Sequence, residues 1–192
     1  AGAVQPGDED DYFQSSLFTI TRRRILWLLI LVLANGLTTK VIAMNDEILK
    51  EIVLLAAFIP LLIGTGGNVG AQSSTVVIRG LSTQKLKSLG AFKAVVKEAI
   101  TGALLGILMM LVVFPFAWWQ GEGPLIASAV GISLISITTL AATTGAILPL
   151  LFDKMRLDPA LMSSPFITTV TDIAGVFIYL NTARWLLSSS LI

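Results

Sequence analysis

The chain contains no cysteine and no histidine. It can therefore form no disulfide, no thiolate nucleophile, no histidine-ligated haem, no Ser-His-Asp relay and no zinc site of the usual kind. Charge is scarce as well. Only 13% of the 192 residues are charged, against about 25% in an ordinary soluble domain. The net charge is +1, too small a field to recruit nucleic acid. Nucleotide loops are missing too. The glycine-rich stretch at 64–72 has no Gly-Lys-Ser/Thr, and Val69 stands where the last glycine of Gly-x-Gly-x-x-Gly would be. None of this resembles an enzyme. The first sixteen residues are polar and acidic, the reverse of a secretory signal. With no initiator Met, the chain reads as a piece of a longer protein.

What is there is apolar. Hydrophobic residues make up 55% of the chain, and its mean hydropathy is +0.85. The expected fold is all-α and membrane-embedded, a five-helix domain over residues 22–192. Its spans fall at about 25–44, 52–79, 99–118, 125–152 and 165–188, each near the ~20 residues that cross a bilayer. Residues 1–21 are a separate tail that opens with the acidic Gly7-Asp-Glu-Asp-Asp11. The connections are expected at 45–51, 80–98, 120–124 and 153–164. Arg22–Arg24, Arg79, Lys85, Lys87, Lys93, Lys97, Lys154 and Arg156 then share one side, with little but Lys50 and Arg184 opposite. The positive-inside rule puts the N-terminus in the cytoplasm and the C-terminus outside a cell membrane. The 79–97 connection is expected to be amphipathic and to lie on anionic lipid, with Glu98 an interfacial residue beside Lys97. Trp118-Trp119 suits an aromatic belt.

Within the last apolar segment sits one carboxylate, Asp172. At mid-membrane an ionised Asp costs about 2.5–3.5 kcal/mol on insertion scales, so such groups face a partner, a wet cavity or an ion path. Thr168, Asp172 and Gly175 share one helix face, at i, i+4 and i+7. A structural reading pairs Asp172 with Lys40 or with Ser/Thr hydroxyls; a functional one gives it an ion. The second segment holds Pro60 and then Gly64-Thr-Gly-Gly-Asn-Val-Gly-Ala-Gln72. Pro60, Gly64, Gly67, Asn68 and Ala71 share a face. Glycine there serves tight helix packing or direct ion contact. Asn68 offers an amide oxygen, and Gln72 is the weaker candidate.

Oxygen donors alone, with one carboxylate per chain, suit a hard cation. Mg²⁺ keeps several of its waters and needs only one or two carboxylates. Two copies of the chain facing each other would supply two. The charge count therefore implies a homodimer with the ion path on or beside its axis.

Three motifs in order carry a family resemblance. They are Pro60-Leu-Leu-Ile-Gly-Thr-Gly-Gly-Asn-Val-Gly-Ala-Gln-Ser-Ser-Thr75, Gly145-Ala-Ile-Leu-Pro149, and Asp158-Pro-Ala-Leu-Met-Ser-Ser-Pro165 followed by Thr171-Asp172-Ile-Ala-Gly175. They resemble the second, fourth and fifth membrane helices of the MgtE family of Mg²⁺ channels. The resemblance implies a homodimer of five-helix subunits with the pore at the subunit interface. It makes Asp172 the pore-site carboxylate for hydrated Mg²⁺, with Thr168 and Gly175 lining the same region. Gly64, Gly67 and Asn68 match pore-facing positions, and Ser164 stands where some relatives have Asn. It also implies cytoplasmic sensor domains that this chain lacks, save the end of a connecting plug helix within 1–21. Mg²⁺ is the expected cargo, with Mn²⁺, Co²⁺ and Ca²⁺ as competitors. Membrane lipid is the surrounding partner. The rival reading is a secondary cation transporter of the alternating-access type, which also uses Gly/Pro-broken helices.

Overall fold

The computed structural model describes residues 16–51, 53–84, 86 and 90–188, with backbone only at 19, 20, 23, 24, 26, 27, 51, 121, 122 and 160–164. The acidic tail at 7–11 and Lys85 and Lys87 lie outside the described residues. The described chain is helical. The elements are α1 (Leu17–Ala43), a short α2 (Asp46–Glu51), α3 (Val53–Ser82), α4 (Ala91–Ala117), a π-helical turn (Trp118–Glu122), α5 (Gly123–Lys154) and α6 (Pro159–Ser188). No strand occurs among the described residues. Helices suit so apolar a sequence, because each satisfies its own backbone groups wherever water is excluded.

Among the described residues, four helical stretches are long and apolar enough to cross a membrane: Val53–Ser82, Ala91–Gln120, Gly123–Lys154 and Pro165–Ser188. They match the last four expected spans. α1 is continuous over 27 residues. Its described apolar run is only Leu28–Ala43, short of the ~20 residues a bilayer needs.

Several connections turn out to be helix. The stretch expected to be a surface connection to residue 98 gives way to α4 at Ala91, so Lys93 and Lys97 ride on its first two turns. Lysine is a good helix former, and charge does not end a helix. The loop expected over 153–164 shrinks to 155–158. Pro159 opens α6, where its missing N–H costs nothing, and Pro165 sits inside the helix rather than at its start. The segment 45–51 becomes α2, whose first turn carries Asp46 and Glu47 and whose last carries Lys50, the arrangement favoured by the helix dipole. Residues 120–124 are also not a plain turn. The π-helical turn passes directly into α5 through Gly123 at φ 73°, a left-handed conformation that glycine adopts without a Cβ penalty.

α5 is the most enclosed helix, packed by α3, α4 and α6. Its inward residues are small: Ala127, Ala129, Ser133, Ala141, Ala142, Gly145 and Ala146 are buried. Small side chains let helix backbones approach where no hydrophobic drive exists between helices. Gly145 is the extreme case, since a Cβ there would run into the backbone carbonyl of Gly70 in α3. Hydroxyls tie the bundle across helices. Thr138 in α5 donates to Gly102 O of α4 at 2.8 Å, and Tyr179 in α6 donates to Leu55 O of α3 at 3.1 Å, both in buried surroundings. The main apolar cluster joins Leu55, Leu62, Leu134, Ile137, Val176 and Leu180. On the outside, Ile100, Leu104, Leu108, Leu111 and Val112 of α4 are exposed, an apolar patch of the sort a soluble monomer rarely shows.

Candidate functional site

The site is built where α3 and α6 cross. The pairs Leu55–Tyr179, Gly66–Thr171 and Gly67–Thr168 show the two helices running antiparallel. Gly66 lies on the inner side of the crossing. A Cβ there would stand 2.8 Å from Ile137 Cγ2 of α5 and 3.7 Å from Thr171 Cβ. Gly67 lies on the outer side, where a Cβ would meet Thr168 Cγ2 at 3.9 Å, an ordinary contact. Thr171 is fully buried and donates its hydroxyl to Ile167 O and Thr168 O, each at 2.9 Å. Thr168 is half-buried and donates to Pro165 O at 3.0 Å, which leaves its oxygen lone pairs free to accept.

Asp172 follows Thr168 by one turn. Going round α6 from Thr171 through Thr168 leads outward, and Asp172 lies about 40° further in the same sense. It is half-buried. In antiparallel register, that turn sits level with Ile63 and Gly64 of α3. Gly64 is exposed, and among the described residues nothing comes within 4 Å of where its Cβ would be. Asn68 and Gln72 are exposed one and two turns further along the same stripe. By register Asp172 therefore lies on the outer side of the crossing, level with the exposed Gly64.

Neither structural partner weighed for Asp172 is in place. Among the described residues the carboxylate makes no hydrogen bond or ion pair; an ion pair joins Lys50 to Asp46 within α2 instead. Lys40 is exposed and does not reach it. No group of three or more acidic residues that could hold a metal ion occurs among the described residues. Among the described residues of this crossing, Asp172 is the single carboxylate.

The expected site residues divide accordingly. Gly67 meets Thr168 across the α3–α6 crossing, Asp172 follows Thr168 by one turn on α6, and Gly64 and Asn68 lie exposed on α3. Gly175 does not join them. It is buried against the Ile137 side chain at 3.6–3.8 Å, on the packing face toward α5. Ser164 lies in α6, but its side chain is outside the described part. In the sequence Thr171 stands out only as part of the third motif, with no role of its own, although it lies three residues from Thr168 and braces the same crossing. Gly102 and Gly106 escaped the sequence reading; they pack against Thr138 of α5, and their Gly-x-x-x-Gly spacing was a usable signal.

The MgtE family profile, described as a divalent cation transporter, matches residues 59–182. That interval contains Gly64, Gly67, Asn68, Thr168 and Asp172. The chain is 36% identical over 178 residues to the magnesium transporter MgtE of Thermus thermophilus, covering 93% of this chain and 39% of that protein. It is 35% identical over 165 residues to the magnesium transporter MgtE of Enterococcus faecalis, covering 84% of this chain and 36% of that one. With the magnesium transporter MgtE of Bacillus subtilis it shares 32% identity over 176 residues, 91% and 39% of the two chains. The chain thus spans 36–39% of the length of these curated relatives. With most of its length matched in sequence and its helices built for a membrane, the chain belongs to the MgtE family.

Proposed function

We propose that the chain is the membrane pore of a Mg²⁺ channel, a homodimer of five-helix subunits with the ion path at the subunit interface. The observation that carries this is Asp172: a half-buried carboxylate on a membrane-length helix, unpartnered among the described residues, beside an open glycine and amide stripe. Its cost in the bilayer is offset when a dication and a second Asp172 share the site. Mg²⁺ arrives hydrated and retains most of its waters. The two carboxylates hold it through that shell, while Thr168 and the Asn68 amide orient the waters. Discrimination against Mn²⁺, Co²⁺ and Ca²⁺ follows from fit to the hydration shell as well as from charge. The membrane potential supplies about 2.3 kcal/mol per unit charge per 100 mV, so no ATP is consumed. The name of the relatives, magnesium transporter, agrees with this cargo.

The basic residues support an orientation with the N-terminus cytoplasmic. The end of α3 with Arg79, the start of α4 with Lys93 and Lys97, and the end of α5 with Lys154 belong to one side of the bundle.

The test is Mg²⁺ flux into liposomes carrying the purified chain. Asp172→Asn is expected to abolish flux while the dimer still assembles; unchanged flux would remove Asp172 from the mechanism. The prolines inside α3 and α6, Pro60 and Pro165, give alternating access a foothold. Discrete single-channel current steps are expected, and strict coupling to H⁺ or Na⁺ would favour the transporter instead.

A further inference from the structure

We infer that the cleft between α3 and α4 is a binding site for one anionic phospholipid, its phosphate held by Arg79 and Lys97 and its acyl chain laid along the outer face of α4. α3 and α4 touch at only a few positions. Between the last turns of α3 and the first turns of α4 they leave a cavity of about 400 Å³. Thr75, Val76 and Arg79 line it from α3, and Ala94, Lys97 and Glu98 from α4. The polar groups thus sit at one end of the bundle, where a bilayer would place its headgroups.

The charges are arranged for an anion. Arg79 and Lys97 are exposed, and among the described residues neither forms an ion pair, although Glu98 lines the same cavity. Two cations and one carboxylate leave a net +1, which matches one phosphodiester. Lys93 and Lys97 also border a second groove, of about 320 Å³, on the neighbouring side of α4 with Phe92, Val96 and Ile100. Any phosphate at Lys97 therefore has a further cation within one helical turn.

The apolar half is continuous with the charged half. From Lys97, the i+4 and i+7 positions are Thr101 and Leu104, followed on the same face by Leu108 and Leu111. Thr101 is already satisfied by Lys97 O at 2.9 Å, so it presents mainly its methyl group. Leu104, Leu108 and Leu111 are 57%, 60% and 66% exposed. A stripe with cations at the top and leucines below has the profile of a phospholipid in one leaflet, where basic residues each gain about 1 kcal/mol from anionic lipid. The site is remote in sequence from Asp172.

The experiment is native mass spectrometry of the purified chain in detergent, titrated with dioleoylphosphatidylglycerol, dioleoylphosphatidylcholine or inorganic phosphate. One tightly retained phosphatidylglycerol per chain is expected, with phosphatidylcholine weaker and inorganic phosphate a poor competitor. The double variant Arg79→Gln/Lys97→Gln should lose roughly tenfold or more of that preference, on the scale of two surface cations. Glu98→Gln, which removes the opposing charge, should strengthen binding, a gain that a damaged fold would not produce. Equal retention of both lipids, or a double variant with its preference intact, would overturn the proposal. Full competition by inorganic phosphate would turn the site into one for free anions. The cysteine-free background permits a check for a second copy on this face. Ready disulfide cross-linking of Leu108→Cys between protomers would assign the leucine stripe to protein and refute the lipid.

Discussion

At the scale of single residues, Gly64 separates packing from conduction. Glycines in membrane helices usually admit a neighbouring helix, and several here do. Among the described residues Gly64 admits no neighbour, since the space beyond its Cβ position is open. Gly64→Ala is therefore expected to leave the fold of the subunit as stable as before, or to stabilise it slightly. Alanine has the better helix propensity, by about 1 kcal/mol in a helix interior. Mg²⁺ flux should nevertheless fall, because the added methyl group projects into the strip beside Asp172. Liposome flux and thermal stability measured on the same preparation decide the matter. Unchanged flux would make the bare stripe incidental to conduction. Asp172 and the glycine stripe were legible in the sequence because each is an anomaly: a carboxylate in an apolar run, and a cluster of glycines where helix formers belong. Gly175 shares their spacing and misleads. Periodicity gives a face but not what stands opposite it, and opposite Gly175 is Ile137.

At the scale of elements, the closeness of α3 and α5 hangs on Gly145. A side chain there meets a backbone carbonyl, that of Gly70, and a carbonyl within a helix cannot swing aside as a flexible side chain can. Gly145→Ala is expected to push α5 away from α3 and to cost about 1–3 kcal/mol, the usual range for overpacking a core. A thermal melt or denaturant midpoint in detergent, compared with Gly64→Ala as the tolerated control, measures the difference. Equal stability of the two variants would mean that the helices adjust freely. The sequence revealed that most of these helices exist, since long apolar runs speak for themselves. It did not reveal where they end. Lys93 and Lys97 look like a surface loop, yet their stems are compatible with α4. Pro165 looks like a helix start, yet Pro159 takes that place and leaves Pro165 within α6. Nor did it reveal the cross-ties: the Thr138 to Gly102 and Tyr179 to Leu55 hydrogen bonds join residues 36 and 124 positions apart, and no local pattern encodes such partners.

At the scale of the whole molecule, the proposed ion site is half a site per chain. One Asp172 and neutral oxygens hold a hydrated dication weakly; two carboxylates across a two-fold axis hold it better. Mg²⁺ should therefore bind the dimer in preference to the separated chains, and by linkage it should drive assembly. Stabilisation follows RT ln(1 + [L]/Kd), about 2.7 kcal/mol at a hundredfold excess over Kd. Two readouts follow. The melting temperature in detergent should rise with free Mg²⁺, and the protein concentration at which the dimer half-dissociates should fall. Both responses are expected to vanish in Asp172→Asn, while Na⁺ at equal ionic strength reproduces neither. The variant itself should dimerise at least as well as the original chain in the absence of Mg²⁺, since it brings no second carboxylate against the first. A Mg²⁺ shift that survives in Asp172→Asn would place the binding elsewhere. A shift indifferent to protein dilution would put the ion within one subunit. Asp172 would then need a partner from its own chain, and none is found among the described residues.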